Sequence, residues 1–211
     1  MSLSTFRRIA TGSALLLAAV AGAGPAEAGS PLTAPIEQFN AGLLQAMKAG
    51  KSMSFQERYA MLAPIISRSF DLPYLVQSAA GEHWDALSPE QRQAVIDAFR
   101  GYATAICAKY FDDYSGERFD IVRETKTSSG DPVVEVKISP GSPSDDAHVL
   151  SFVMRQAGAE WKAVDVMMDG MFSLVAVKRS EIRTLLASNG EAGLIASLRQ
   201  SIARLSDAAS R

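Results

Sequence analysis

Apolar positions along this chain recur first with a helical period, then in alternation, then with a helical period again. In the first block Ile36, Phe39, Leu43, Leu44 and Met47 fall on one helical face behind Pro35, with Gly50 placed to end the helix. Ser54-x-x-Glu57 is a capping box that opens a second helix through Tyr59, Leu62 and Ile66. Pro64 is expected to kink or split that helix, because it removes a backbone donor. Asp71 is the natural N-cap of a short helix over 72–80, closed by Gly81, and a short turn then carries His83 and Trp84. The strongest local signal is Ser88-Pro89-Glu90-Gln91: serine caps, proline takes the first helical position and Gln91 closes the box. Val95, Phe99, Tyr102, Ala103, Ile106 and Tyr110 then make the apolar stripe of a long helix over roughly 89–112.

After Gly116 the period changes to two. Phe119 and Ile121, then Val134, Val136 and Ile138, then Leu150, Phe152 and Met154 alternate with polar neighbours. A fourth run sets Val164, Val166 and Met168 against Trp161, Ala163 and Asp165. Gly130-Asp131, Pro140-Gly141 and Gly158 punctuate these runs as turns, so four strands form an antiparallel meander. Two helices follow, about 178–187 and 191–206, separated by Asn189-Gly190. Helices, then strands, then helices is an α+β order and not a βαβ one.

The N-terminus belongs to neither pattern. Arg7 and Arg8 precede an apolar run from Ile9 to Val20, and Ala26-Glu27-Ala28 has the small-x-small form of a cleavage site. Residues 1–28 are therefore expected to be a cleaved signal peptide, the run being short of the roughly 20 residues of a membrane span. A single domain over 29–211 would remain, with 29–34 and 207–211 flexible, and its product would be soluble and periplasmic. Cleavage removes two positive charges and one negative, taking the net charge from −2 to −3. That balance speaks against a nucleic-acid partner, which calls for a basic footprint. The single cysteine, Cys107, has no partner within the chain for a disulfide, so stability rests on an apolar core.

Chemistry is sparse. His83 and His148 are far apart, and neither has neighbours at metal-ligand spacing, so no metal and no cofactor is expected. Glu82-His83 fits a surface turn beside a packing tryptophan better than an acid–base pair. Cys107, next to the apolar stripe, fits a small buried hydrophobe better than a nucleophile, because no His or Asn motif accompanies it. Asp165 and Asp169 could pose as paired carboxylates, but Gly170 places a turn there and favours structural roles. What remains is apolar lining: Phe152, Met154, Val164, Val166, Met168, Met171 and Phe172 come from adjacent strands and their ends. If helices cover this face it is a core. If the sheet curves away, the same side chains line a cavity suited to long apolar chains, since a buried unpaired polar group costs roughly 2–7 kcal/mol.

The segment from Phe70 to Ile121, "FDLPYLVQSAAGEHWDALSPEQRQAVIDAFRGYATAICAKYFDDYSGERFDI", resembles the MlaC family, the periplasmic auxiliary component of Mla-type lipid ABC transport. The likeness lies in the Phe-Asp start, the Ser-Pro-Glu-Gln opening, the Phe99-Arg100 pair and the Tyr114-Ser115-Gly116 exit. "WKAVDVMMDG" (161–170), "SLVAVKRSEI" (173–182) and "NGEAGLIASL" (189–198) extend it over about 33–206. The departure is Met171-Phe172-Ser173, one residue longer and bulkier than the family's single aliphatic before serine; it would suit the hopanoid-associated, HpnM-like branch.

The resemblance implies a nuclear-transport-factor-like α+β fold with a deep apolar pocket, in a monomer. It implies a carrier without catalysis that takes phospholipid or a hopanoid-type lipid. Its partners would be an inner-membrane substrate-binding and permease complex and an outer-membrane lipoprotein complex. Carried onto this sequence, Phe152, Met154, Val164, Val166, Met168, Met171 and Phe172 would be sheet-side wall, Phe99, Tyr102 and Ile106 helix-side wall, and Tyr74 and Trp84 rim. Asp165 and Arg100 would be structural. Two other classes stay open at this stage. An enzyme on the same cone-shaped fold, an isomerase or hydrolase of an apolar substrate, needs a polar constellation inside the pocket. A protein-binding or chaperone module presents its apolar surface outside.

Overall fold

The computed structural model describes residues 30–142, 146–169 and 172–209. The expected signal segment and Met171 lie outside the described residues, as does the side chain of Phe172. Four helices come first: α1 (Ala34–Ala49), α2 (Phe55–Ser69), α3 (Leu72–Ala80) and α4 (Pro89–Tyr110). Four strands follow, β1 (Arg118–Lys126), β2 (Pro132–Ser139), β3 (His148–Ala157) and β4 (Glu160–Met168), then a two-residue β5 (Phe172–Ser173) and α5 (Leu174–Ala209). The sheet is an antiparallel meander in the order β1-β2-β3-β4-β5. The fold is α+β, as the sequence pattern implies, and β5 adds a short edge to the four expected strands. Among the described residues no helix is long and apolar enough to cross a membrane.

The helix starts are where the local chemistry puts them. Ser54 and Ser88 each accept a hydrogen bond from the amide three residues on, and each donates its own backbone amide to the side-chain oxygen of Glu57 (2.7 Å) or Gln91 (2.8 Å) in return. Asp71 caps α3 through the Tyr74 amide, at 3.2 Å, and its own amide donates to the Ala163 carbonyl at 3.0 Å. That last bond ties the α2–α3 junction to β4. Ser30 to Thr33, expected to be flexible, form a hydrogen-bonded turn in which Thr33 is buried, and residues 207–209 continue α5.

Two expectations about helices change. Pro64 does not split α2, which runs unbroken to Ser69. Pro64 and Ala60, whose carbonyl loses its intrahelical donor, are both exposed, so water can satisfy that group. The last helix starts at Leu174 and not near 178, because Ser173 is an N-cap: its hydroxyl accepts from the Ala176 amide at 2.9 Å. The expected break at Asn189-Gly190 is present as a left-handed Gly190, φ 64° and ψ −170°, where two helical segments of α5 meet.

The core lies between the helices and one sheet face. It combines Ile36, Leu43 and Leu62 from the first helices with Val134, Val136 and Phe152 from the strands. Buried within the helical layer is Arg58, 3 % exposed, whose guanidinium donates to the carbonyls of Ala108 (2.8 Å), Gly50 (3.1 Å) and Met53. It satisfies three backbone acceptors where α1, α2 and α4 end or begin, which is what makes a buried charge tolerable. On the far side, loops 112–117 and 140–142 touch: a Cβ on Gly141 would stand 1.8 Å from the Ser115 carbonyl, so that position admits only glycine.

Candidate functional site

Helix α4 shows where the site is. Its fully buried residues in the second half are small: Gly101, Thr104, Ala105 and Ala108. Its large apolar residues Phe99, Tyr102 and Ile106 are only half-buried, together with Ala103 and Cys107. In an ordinary core the large side chains would be sealed first. These five positions follow one helical stripe, and all five line a cavity of about 390 Å³. The size of that cavity lies within the roughly 300–1,000 Å³ of ligand pockets.

Every surrounding element contributes at its own period. Helix α1 gives Phe39 and Leu43, α3 gives Leu72, Leu75 and Ala79, and α5 gives Lys178 and Ile182. The sheet gives Leu150, Phe152 and Val166, with Phe152 and Val166 directly opposite each other across β3 and β4. Phe39 meets Phe70 and Phe152 edge-on, with ring centroids 5.0 Å and 6.1 Å apart, and Phe70 lies tilted against Phe152 at 6.3 Å. Such a cluster gives the wall a fixed shape.

Few polar groups reach this space, and each is committed. Asp165 accepts from its neighbour's amide, Val166, at 2.7 Å and from the Ser173 hydroxyl at 2.6 Å. With the Ser173 cap it links the end of β4 to the start of α5. Burial pushes the Cys107 thiol up to about 12, so it carries almost no thiolate at neutral pH. The Lys178 ammonium sits 4.9 Å from the Tyr102 ring centroid and 2.7 Å from a Glu181 carboxylate oxygen. Partial burial draws its pKa down, but hydrogen bonds to Glu181 and Tyr102 outweigh that and hold it above the ordinary lysine value. Among the described residues no group of three His, Cys, Asp or Glu side chains could hold a metal ion. Asp169, the second carboxylate of the sequence pair, is spent elsewhere: it accepts from the Val149 amide at 2.8 Å and lies 3.0 Å from His148 Nδ1. The arrangement can hold apolar chains; it lines up no nucleophile with a base.

The family model described as MlaC protein matches residues 37–200. The chain belongs to the MlaC family. A solved structure similar in fold is that of the phospholipid-binding protein from Ralstonia solanacearum, in complex with a phospholipid. The two superpose with a TM-score of 0.69 at 18 % identity, over 83 % of this chain and 99 % of that one.

In this MlaC-family chain the structure brings together five of the expected wall residues, Phe99, Tyr102, Ile106, Phe152 and Val166. Others lie elsewhere. Trp84 is sealed in the core, with the Arg92 guanidinium 5.4 Å from its ring centroid, and so is not at a rim. Tyr74, Met154 and Val164 border a separate polar groove at the sheet edge, where Arg155 stacks on Tyr74 at 4.3 Å. Met168 is 39 % exposed at the strand end. Met171 and the side chain of Phe172 are outside the described residues.

The displacement of Val164 has a definite cause. Between the pairs Val153–Asp165 and Met154–Ala163 the register slips, leaving Val164 as the extra residue of a β-bulge. Ala163, fully buried, takes the inward place that strict alternation assigns to Val164. Phe39, Phe70, Leu75, Lys178 and Ile182 line the cavity without having been singled out from sequence. For Phe39, Leu75 and Ile182 there is no local signal beyond an apolar helical stripe. Lys178, the first of the Lys178-Arg179 pair that follows Val175 and Val177, is the one that stands out in retrospect.

Proposed function

We propose that this MlaC-family protein is a lipid-binding carrier that takes the acyl chains of a phospholipid into the α4-facing cavity and performs no catalysis on them. The observation that carries the proposal is the inversion on α4, where large apolar side chains are left open to a cavity while small ones are sealed. Phe99, Tyr102, Ile106, Phe152 and Val166 are the proposed chain-contacting residues, joined by Phe39, Phe70 and Ile182. Burying a chain at about 0.8 kcal/mol per methylene supplies a large driving force for occupation of so apolar a space. Family membership and the fold likeness to a phospholipid-binding protein support the same reading.

The proposed setting is the periplasm, reached through the signal peptide at 1–28, with a monomer moving lipid between complexes of the inner and outer membranes. Native mass spectrometry of the purified protein is the direct test, and co-purifying diacyl lipid is the expected result. Recovery of a protein that is repeatedly lipid-free and accepts none from vesicles would sink the proposal. Phe152→Asp should abolish lipid retention, with the folded fraction followed by circular dichroism.

A further inference from the structure

The cavity is not closed on all sides. Tyr102, Ile106 and Lys178 line it and also line a second depression of about 340 Å³ between α4 and α5. The rest of that depression is Tyr110 on α4 and Glu181, Ser201, Arg204 and Leu205 on α5. The cavity and the surface depression therefore border each other at these three residues, and the chemistry differs between them. Inside, the walls are hydrocarbon apart from Asp165 and Lys178. At the mouth stand two cations, Lys178 and Arg204, one carboxylate, Glu181, and the hydroxyls of Tyr102, Tyr110 and Ser201.

The mouth thus carries one excess positive charge. Lys178 shares its ammonium with Glu181, while Arg204 donates to the Ser201 hydroxyl at 2.7 Å and pairs with no carboxylate among the described residues. A guanidinium of that kind has donors left for an anionic oxygen. The other polar groove, at Tyr74 and Arg155, shares only Asp165 with the cavity, and that carboxylate is occupied by Val166 and Ser173. Of the two, the α4–α5 depression shares more of its lining with the cavity and is the better placed to receive the polar end of a molecule whose chains fill it.

We infer that Lys178 and Arg204, with the Tyr102 hydroxyl, form a subsite for a phosphate carrying a single negative charge: the phosphodiester of the bound lipid. The inference rests on the carrier reading and adds to it a preference for phosphodiester lipids over uncharged ones with the same chains. Glu181 holds Lys178 in place while the mouth is empty, and Arg204 supplies the uncompensated charge.

The test compares uptake from vesicles containing phosphatidylglycerol with uptake from vesicles containing diacylglycerol of the same chains. Lys178→Glu combined with Arg204→Glu should lower phosphatidylglycerol uptake about tenfold or more beyond any change in diacylglycerol uptake. Lys178→Met with Arg204→Met, which removes charge without reversing it, provides the same comparison should the first pair fail to fold. Arg155→Glu, in the other groove, should leave both lipids unchanged. Glycerol phosphate separates the sources of the anion: if it binds the wild type at the mouth as tightly as the lipid does, the site is one for free phosphate and the inference falls. Equal phosphatidylglycerol uptake by the wild type and both double variants would overturn it while leaving the carrier intact. A loss of diacylglycerol uptake as large as that of phosphatidylglycerol in a folded double variant would also overturn it, because the effect would then be one of wall shape and not of charge. A wild type that takes up neither lipid would remove the carrier reading itself.

Discussion

The two sides of α4 are built from one helix to opposite rules. Toward α2 and the second segment of α5 it presents Gly101, Thr104, Ala105 and Ala108, all buried, and the interface closes at backbone distance. A Cβ on Gly101 would stand 3.1 Å from the Tyr59 hydroxyl and 3.2 Å from Ile202 Cδ1. On its other side stand Phe99, Tyr102 and Ile106, which line the cavity. One side is specified by fit and the other by absence of fit. Stability should therefore be sensitive on the first side and ligand binding on the second.

The sharpest break in that contrast is at Arg58, on the packed side. Arg58→Met removes the donor to the buried Ala108 carbonyl and to the part-buried carbonyls of Gly50 and Met53, so a loss of about 3 kcal/mol is expected, a Tm fall on the order of 10 °C by calorimetry. Next comes Gly101→Leu, which overfills the interface with Tyr59 and Ile202 and should cost about 1–3 kcal/mol in urea unfolding. On the open side Ala103→Trp places more bulk one residue further along the cavity stripe. It should shift stability by less than about 1 kcal/mol yet remove lipid uptake from vesicles. If Ala103→Trp unfolds the protein while Gly101→Leu does not, the assignment of the two sides is reversed.

Two smaller effects sharpen the picture. With its thiol near 12, Cys107 has a thiolate fraction on the order of 10⁻⁴ at pH 8, so iodoacetamide should label it far more slowly than a free thiol. The mildest effect is at the strand end. Hydrogen bonds from the Val149 amide and then His148 hold the Asp169 carboxyl below its ordinary 3.8. A carboxylate favoured in the folded state stabilises above its unfolded pKa and loses that contribution as pH falls through the folded one. Titration below about pH 4 should loosen this clamp without unfolding the domain, visible as faster exchange of the Val149 amide in NMR.

The helices and strands were largely legible in the sequence because their signals are local. Ser54-x-x-Glu57 and Ser88-x-x-Gln91 cap helices by contacts within four residues, and alternation over 132–139 needs only the next strand to be meaningful. The wall of the cavity was legible where a stripe could be counted, as at Phe99, Tyr102 and Ile106. It was not legible where a non-local feature decides. The β-bulge that turns Val164 outward depends on the register of β3 against β4, and no residue in "WKAVDVMM" announces it. Trp84 is placed at a rim only by the resemblance, but the Arg92 side chain on the following helix packs over it and the ring is buried. Pro64 obeyed the chemistry of proline, and its consequence was decided by the exposure of Ala60, which a helix pattern alone does not give.

The small residues on the back of α4 have an effect that reaches beyond their own contacts. They act as a spacer: the depth to which α4 sinks toward α2 and α5 sets how far its front stands from the sheet. Enlarging Ala105 or Ala108 would drive the whole helix forward and narrow the bore without altering any residue that lines it. Shrinking the bulk behind it would do the reverse. A change in the girth of cargo can therefore arise from substitutions that never touch the cargo, at positions where a comparison of lining residues would not look.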